Sequence, residues 1–80
     1  MTEGVLLMWP KAKRLYDARR AKGYTQQGLA DAAHVPKRNI ESMEGGTRYI
    51  NNAGAAQVIR LARVLDVSPE SLLEPEPEDE

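Results

Sequence analysis

The short connection between two predicted helices, at residues 34–36, most constrains how this chain of 80 residues can fold. Thr25 is a favourable N-cap for the first of these helices, which is expected to end near Ala33. Pro36 occupies the cap position of the next helix, and Ile40 lies on its apolar face. Because a connection of three residues cannot reverse the chain fully, the two helices are predicted to cross steeply.

Three further helices are predicted around this pair. The first is expected to begin at Pro10, which suits a first helical turn, and to run to Lys22 before Gly23. The fourth spans roughly residues 53–65, where apolar residues recur at helical spacing, and the fifth starts after a cap at Ser68. Five short helices predict an all-α orthogonal bundle, since the second and third are too short for an up-and-down bundle.

Apolar residues on the two crossing helices face each other in this arrangement. The facing residues are Leu29, Ala30 and Ala33 on one side and Val35, Ile40 and Met43 on the other. This pattern is typical of a helix-turn-helix, in which the second helix projects outward from the domain.

The composition excludes several classes of protein. The chain contains no cysteine, and its single histidine, His34, cannot form a zinc site without further ligands. The longest apolar run, Val5 to Trp9, is far shorter than the ~20 residues that cross a bilayer. No carboxylate pair suited to catalysis is visible, so we expect a soluble, cytoplasmic, non-enzymatic protein with no metal and no cofactor.

Charge is distributed unevenly along the chain, although the net charge is only −1. All 11 lysines and arginines lie in residues 1–73, together with only 7 acidic side chains. Residues 74–80 alternate proline with carboxylates, which predicts an extended, disordered tail. We therefore divide the chain into an apolar leader at 1–9, a basic helical domain at 10–73 and an acidic tail at 74–80. A basic domain of this kind suits a polyanionic partner.

The segment from Leu15 to Leu73 resembles the Cro/repressor-type, XRE-like helix-turn-helix family of DNA-binding proteins. The residues that carry the resemblance are Arg19, Gly23-Tyr24-Thr25-Gln26-Gln27, Leu29-Ala30, Val35, Ile40, Met43-Glu44, Gly46 and Leu61-Ala62-Arg63-Val64-Leu65-Asp66-Val67-Ser68, followed by Leu72-Leu73. The resemblance covers about three quarters of the chain. It implies a five-helix, lambda-repressor-like DNA-binding domain.

Three positions depart from the family pattern. Gly28 lies inside the second helix, where glycine costs about 1 kcal/mol of helix propensity. His34 stands where the family commonly has glycine in the turn, so its backbone is expected to be left-handed. Pro36 replaces the usual Ser or Thr cap, which gives the third helix a weaker start.

The resemblance implies that the second and third helices contact DNA. The start of the second helix, with Thr25, Gln26 and Gln27, would bind a phosphate through free amides and the Gln26 side chain. Alternatively, Thr25 only caps the helix and Gln26 is solvated. The third helix would enter the major groove, and its outward residues are Lys37, Arg38, Asn39, Glu41 and Ser42. Lys37 could contact phosphate instead of a base, and the alternative for the whole set is a solvated helix face.

The segment between the third and fourth helices, residues 45–52, is a further candidate for DNA contact. Arg48, Tyr49 and Asn51 supply donors suited to sugar-phosphate oxygens. Its alternative role is a mobile surface loop.

Arg19 and Glu44 form a candidate ion pair. The resemblance implies that they are partly buried and join the first helix to the end of the third. Both charges fall at helical spacing on otherwise apolar faces, four residues after Leu15 and Ile40 respectively. We expect this pair to be structural rather than catalytic.

A domain of this size reads only a few base pairs, so we expect a homodimer on a near-palindromic DNA operator with half-sites ~34 Å apart. The family's usual dimer region corresponds to Val67, Leu72 and Leu73. The apolar residues at 5–9 either cover the core or pair with a partner, because leaving them in water is unfavourable.

The sequence therefore predicts a sequence-specific DNA-binding transcriptional regulator, most simply a bacterial or phage repressor. One alternative is the antitoxin of a toxin–antitoxin pair, which would use the same domain and a second segment for its protein partner. The other is a helix-turn-helix fold used only for protein contacts.

Overall fold

The computed structural model describes residues 8–75, and the predictions for residues 1–7 and 76–80 fall outside this part of the chain. The helices are α1 (Lys13–Ala21), α2 (Gln26–Ala33), α3 (Lys37–Gly45) and α4 (Ala55–Leu65), with 3₁₀ helices at Ile50–Asn52 and Pro69–Leu72. Residues 8–75 contain no strand, and the all-α class is confirmed. The prediction of five α-helices is wrong, because the fifth is a short 3₁₀ helix after Ser68.

α1 begins three residues after the predicted start at Pro10. The preceding residues run beside the end of α3, where the Trp9 N–H donates to the Gly46 carbonyl and the Ala12 N–H to the Met43 carbonyl, both at 2.9 Å. Carbonyls at the end of a helix have no partner within that helix. The chain satisfies two such carbonyls before it enters α1, which is why the helix starts late.

The connection between α2 and α3 turns at His34, whose φ of 58° and ψ of 46° confirm the predicted left-handed backbone. An arginine from α4 supports this turn. Arg60 Nε donates to the Ala33 carbonyl at 3.1 Å, and Arg60 Nη2 donates to the His34 carbonyl at 3.5 Å. The last carbonyls of α2 are thus bound by a side chain that is distant in the sequence.

The hydrophobic core lies where the four helices meet. α2 packs against α3 and α4, and α1 packs against α3 and the second 3₁₀ helix. The largest fully buried side chains are Leu15, Leu29, Ile40, Met43, Ile50, Leu61, Leu65 and Leu72. The packing holds α3 against α1 and α2 while its polar face stays on the surface.

Three residues, Arg14, Asn51 and Glu74, form what we call the C-terminal clasp. Asn51 Nδ2 donates to the Glu74 carbonyl at 2.8 Å, and Asn51 Oδ1 accepts the Glu74 N–H at 2.9 Å. Glu74 Oε2 accepts the backbone N–H of Arg14 at 2.8 Å, in the first turn of α1. The sequence predicts Glu74 in the extended tail, whereas in the structure its carboxylate lies at the N-terminus of α1, where negative charge is stabilised.

Candidate nucleic-acid interface

A buried ion pair anchors the end of α3 to α1. Arg19 Nε and Nη2 donate to the two carboxylate oxygens of Glu44 at 2.9 Å, and Arg19 Nη1 donates to the Tyr24 carbonyl at 2.9 Å. Only 8% of the Arg19 side chain and 7% of the Glu44 side chain are exposed. The hydrogen bond to Glu44 raises the pKa of Arg19 above its usual value, against the opposing effect of burial. The guanidinium is therefore charged throughout the pH range in which proteins fold.

The predicted phosphate-binding end of α2 carries three polar side chains with different partners. Thr25 Oγ1 accepts the Gly28 N–H at 2.9 Å, as an N-cap does, and Gln27 Nε2 donates to a carboxylate one turn along the helix. Gln26 is half-buried, and its Nε2 donates to Glu44 Oε1 at 3.0 Å. The ion pair thereby fixes the Gln26 side chain beside the start of α2, where helix amides lack intrahelical partners.

The surface of α3 carries the residues predicted to read bases. Lys37, Arg38 and Glu41 are exposed, whereas Asn39 and Ser42 are half-buried. Lys37 Nζ lies 3.6 Å from Glu41 Oε2, which is an exposed ion pair across one turn. The Arg38 side chain has no hydrogen bond or ion pair with any residue between 8 and 75, so it is available for a ligand.

Asn39 contacts α4. Its Nδ2 donates to Gln57 Oε1 at 3.2 Å, and Gln57 lies in the first turn of α4. A primary amide has two N–H groups and an acceptor oxygen. The Asn39 amide therefore keeps one N–H and its Oδ1 for another partner.

Positive charge is concentrated at the start of α3. Lys37 and Arg38 are its first two residues, and its first turn contains no acidic side chain. Pro36, at the N-cap, makes no side-chain hydrogen bond to the helix, as the sequence predicts. Since a helix N-terminus already carries roughly half a positive charge, two cations there destabilise the helix locally unless an anion binds.

Two of the three donors predicted between α3 and α4 are used within the protein. Tyr49 is buried, and its ring stacks on Trp9 with centroids 5.2 Å apart and planes 4° apart. Asn51 Nδ2 donates to the Tyr49 hydroxyl at 2.9 Å as well as to the Glu74 carbonyl. Stacking on Trp9 and the C-terminal clasp therefore give Tyr49 and Asn51 partners within the protein, and their DNA contacts stay a prediction. Arg48 is exposed.

The three residues predicted at the dimer interface differ in exposure. Val67 is 37% exposed and Leu73 is half-buried, but Leu72 is 1% exposed and belongs to the core. Leu72 therefore packs within the protein, whereas Val67 and Leu73 are accessible to a partner. An open groove of about 340 Å³ lies between α4 and the second 3₁₀ helix, and its apolar lining includes Ala53, Ala55, Val58, Ile59, Pro69 and Leu73.

Two α4 residues that contact the helix-turn-helix, Gln57 and Arg60, were missed by the sequence reasoning. The helical spacing of α4 identifies its buried face, which includes Val58 and Leu61. Gln57 and Arg60 each precede one of these buried residues by one position, so they border that face. Their position beside the buried face is the sequence feature that indicates a contact with the neighbouring helices.

Two other kinds of site, a metal-binding cluster and a membrane-spanning helix, are absent from residues 8–75. No group of three or more histidine, cysteine or carboxylate side chains comes close enough there to hold a metal ion. No helix in this part of the chain is both long and apolar enough to cross a membrane.

Comparison with known proteins gave consistent matches. A family profile described as "Helix-turn-helix" matches residues 15–72. A search of curated protein sequences found no match. Among solved structures, SinR, the master regulator for biofilm formation, was determined in complex with DNA. It is 32% identical with a TM-score of 0.71, and the match covers 78% of this chain and 98% of that chain.

Two further structures extend the comparison. The restriction-modification controller protein C.AhdI from Aeromonas hydrophila is 31% identical with a TM-score of 0.68, covering 78% of this chain and 89% of that chain. The complex of SinR with SinI matches at 31% identity and a TM-score of 0.73, covering 81% of this chain and 61% of that chain. SinR comes from Bacillus subtilis.

Proposed function

The chain belongs to the helix-turn-helix family of XRE-type DNA-binding transcriptional regulators, and from this premise we propose that it is a repressor that inserts α3 into the major groove of its operator. The observation that carries the proposal is the positive start of α3, where Lys37 and Arg38 are both exposed. Positive charge at this end opposes the helix dipole and lowers the stability of α3. Such locally unfavourable arrangements are expected at functional sites, where ligand binding compensates for them. DNA phosphates would supply the missing anion.

The contacts around α3 suit it to reading DNA as part of a rigid unit. The Arg19–Glu44 pair ties α3 to α1 and holds Gln26 at the start of α2, where a phosphate oxygen would accept from its second amide hydrogen. Arg38 is available to donate to guanine O6 and N7 in the groove. Lys37 would leave its 3.6 Å pairing with Glu41 for a phosphate.

Arg38→Ala is expected to weaken binding to the preferred duplex by about 1–3 kcal/mol, roughly 5- to 150-fold, and to relax the choice of base at one position. The free energy of unfolding should not fall and should rise slightly, because Arg38 makes no polar contact within residues 8–75 and its charge opposes the helix dipole. The measurement is selection of bound duplexes from a random pool, followed by titration of the selected sequence at several salt concentrations.

Arg63→Ala is the matched control, since Arg63 is also exposed but lies on α4. It removes the same charge and should lower affinity by the same small factor for every duplex. An Arg38→Ala protein that binds the selected site as tightly and as selectively as the parent would show that α3 is not the reading helix.

We further propose a homodimer that closes over the groove between α4 and the second 3₁₀ helix. Ile59 is 37% exposed and Leu73 is half-buried at this groove, and a second copy would remove both from water. The selected operator should then be a near-palindrome. Sedimentation should give twice the mass of one chain, and Ile59→Glu should give a monomer because it buries a charge. A single-chain mass at all concentrations together with an asymmetric operator would contradict the dimer.

The complex of SinR with SinI supports a second candidate, a DNA-binding protein that also binds a different protein. An antitoxin-type protein would bind DNA and such a partner, whereas a helix-turn-helix used only for protein contacts would bind no preferred duplex. Enrichment of one duplex from the random pool would exclude a helix-turn-helix used only for protein contacts, because such a protein has no preferred duplex. Co-purification of a small toxic partner identifies the antitoxin.

A further inference from the structure

We propose that Gln57 of α4 is a positioning residue for base recognition, because its hydrogen bond holds the amide of Asn39 in one plane. The inference rests on the proposed function of α3. Gln57 lies outside the helix-turn-helix itself, yet within residues 8–75 the one hydrogen bond of the Asn39 side chain runs to it, from Nδ2 to Oε1 at 3.2 Å.

Gln57 is held on a rigid support. Its own backbone N–H donates to the Gly54 carbonyl at 3.0 Å, which closes the first turn of α4. The next residue, Val58, is buried in the core. Arg60, one turn along, binds the end of α2 through the Ala33 carbonyl. Gln57 thus presents its oxygen to α3 from a helix that is itself fixed to the helix-turn-helix.

The hydrogen bond distinguishes two orientations of the Asn39 amide that are otherwise similar in shape. When Nδ2 donates to Gln57, the second N–H and Oδ1 form the remaining edge of the amide. An adenine in the major groove needs this pair of groups, since its N6 amine donates and its N7 accepts. Rotating the Asn39 amide alone by 180° would place Oδ1 against Gln57 Oε1, and two acceptor oxygens repel each other, so the order reverses only if the Gln57 amide turns as well.

Fixing the Asn39 amide before DNA binds affects how well the protein discriminates between bases. An asparagine that rotates freely must lose that freedom when it binds a base, and it can offer either order of donor and acceptor to the groove. With Gln57 in place, the Asn39 amide keeps one plane, and its order of donor and acceptor is tied to that of the Gln57 amide. We therefore expect Gln57 to sharpen the preference at the base pair that Asn39 reads, without contacting that base pair.

The experiment compares affinities for the selected operator and for duplexes changed at each position in turn. Asn39→Ala first identifies the base pair that depends on Asn39. Gln57→Met keeps the length of the side chain but removes the acceptor. It should reduce discrimination at that base pair by roughly 3- to 10-fold, the size of one hydrogen bond, and leave the other positions unchanged.

Gln57→Glu is the conservative variant, because a carboxylate keeps the acceptor oxygen and removes the competing N–H donor. It should retain the discrimination at that base pair, while its negative charge lowers affinity equally for all duplexes. The double variant Asn39→Ala with Gln57→Met should discriminate no worse than Asn39→Ala alone. Arg63→Met, an exposed α4 substitution, should leave discrimination at every position intact.

Three results would overturn the inference. If Gln57→Met discriminates as well as the parent at the Asn39-dependent base pair, the proposed function stands and the positioning role fails. Loss of discrimination spread equally over all positions would mean that Gln57 only supports the fold. A parent protein that binds every duplex equally would remove both the proposed function and this inference.

Discussion

Arg19→Ala is expected to lower the free energy of unfolding by about 3–5 kcal/mol. The substitution leaves the Glu44 carboxylate buried without the two hydrogen bonds that Arg19 donates to it. It also leaves the Tyr24 carbonyl without its Arg19 donor. Urea denaturation measures the effect, which should appear as a lower midpoint with an unchanged slope.

Lys13→Ala provides a matched control, because it removes another ion pair of α1. Lys13 Nζ lies 2.8 Å from Asp17 Oδ2, but the two side chains are 75% and 56% exposed. Exposed pairs of this kind often contribute nothing measurable to stability, so we expect no detectable change. Equal stability of the Arg19→Ala and Lys13→Ala proteins would contradict the argument from burial.

Replacing both members of the buried pair tests whether the loss of stability in Arg19→Ala comes from the unpaired Glu44 charge. The double variant Arg19→Met with Glu44→Met leaves no buried charge without a partner, so it should recover most of the stability lost in Arg19→Ala. It also removes the oxygen that holds Gln26, so its affinity for DNA should fall although the fold is restored.

Gly46→Ala should lower the free energy of unfolding by about 2–4 kcal/mol, because it combines two unfavourable effects. Gly46 has a φ of 89°, which a residue with a Cβ adopts only at a cost. An added Cβ would also lie 3.0 Å from the Trp9 carbonyl oxygen, which is backbone and cannot turn aside. Relieving that contact would stretch the bond from the Trp9 N–H to the Gly46 carbonyl.

The neighbouring glycine supplies the control for this prediction. Gly45 is the last residue of α3, and an added Cβ there meets no atom within 4 Å. Gly45→Ala should therefore stabilise the protein by about 0.5–1 kcal/mol, chiefly by restricting the unfolded chain. Trp9 is the only tryptophan, so its fluorescence should change in Gly46→Ala and not in Gly45→Ala. Destabilisation of similar size in both variants would refute the steric explanation.

Features that depend on neighbouring residues could be predicted from the sequence. The caps at Thr25 and Ser68 and the left-handed turn at His34 arise within a few residues, and all three are confirmed. The late start of α1 could not be predicted, because it depends on the carbonyls of Met43 and Gly46 at the far end of α3.

In the candidate site, too, features set by neighbouring residues could be predicted and features set by distant residues could not. Exposure of Lys37 and Arg38 follows from the helical period, which buries Ile40 and Met43 on the opposite side of α3. The fate of Asn51 could not be read from its own surroundings, since its partner is Glu74, 23 residues away. The role of Gln57 likewise depends on how α4 docks against α3, which no local pattern encodes.

The C-terminal clasp has a consequence for the order in which the domain assembles. Its bond from Arg14 to Glu74 closes a loop of 60 residues, whereas the Arg19–Glu44 pair closes one of 25. The longer closure costs about 0.8 kcal/mol more in chain entropy. Early pairing of Arg19 with Glu44 shortens the chain that still has to be closed, so the Arg14–Glu74 bond of the clasp is expected to form late and to break first. Glu74 can then separate from the start of α1 in a local unfolding step, while α2 and α3 stay packed together.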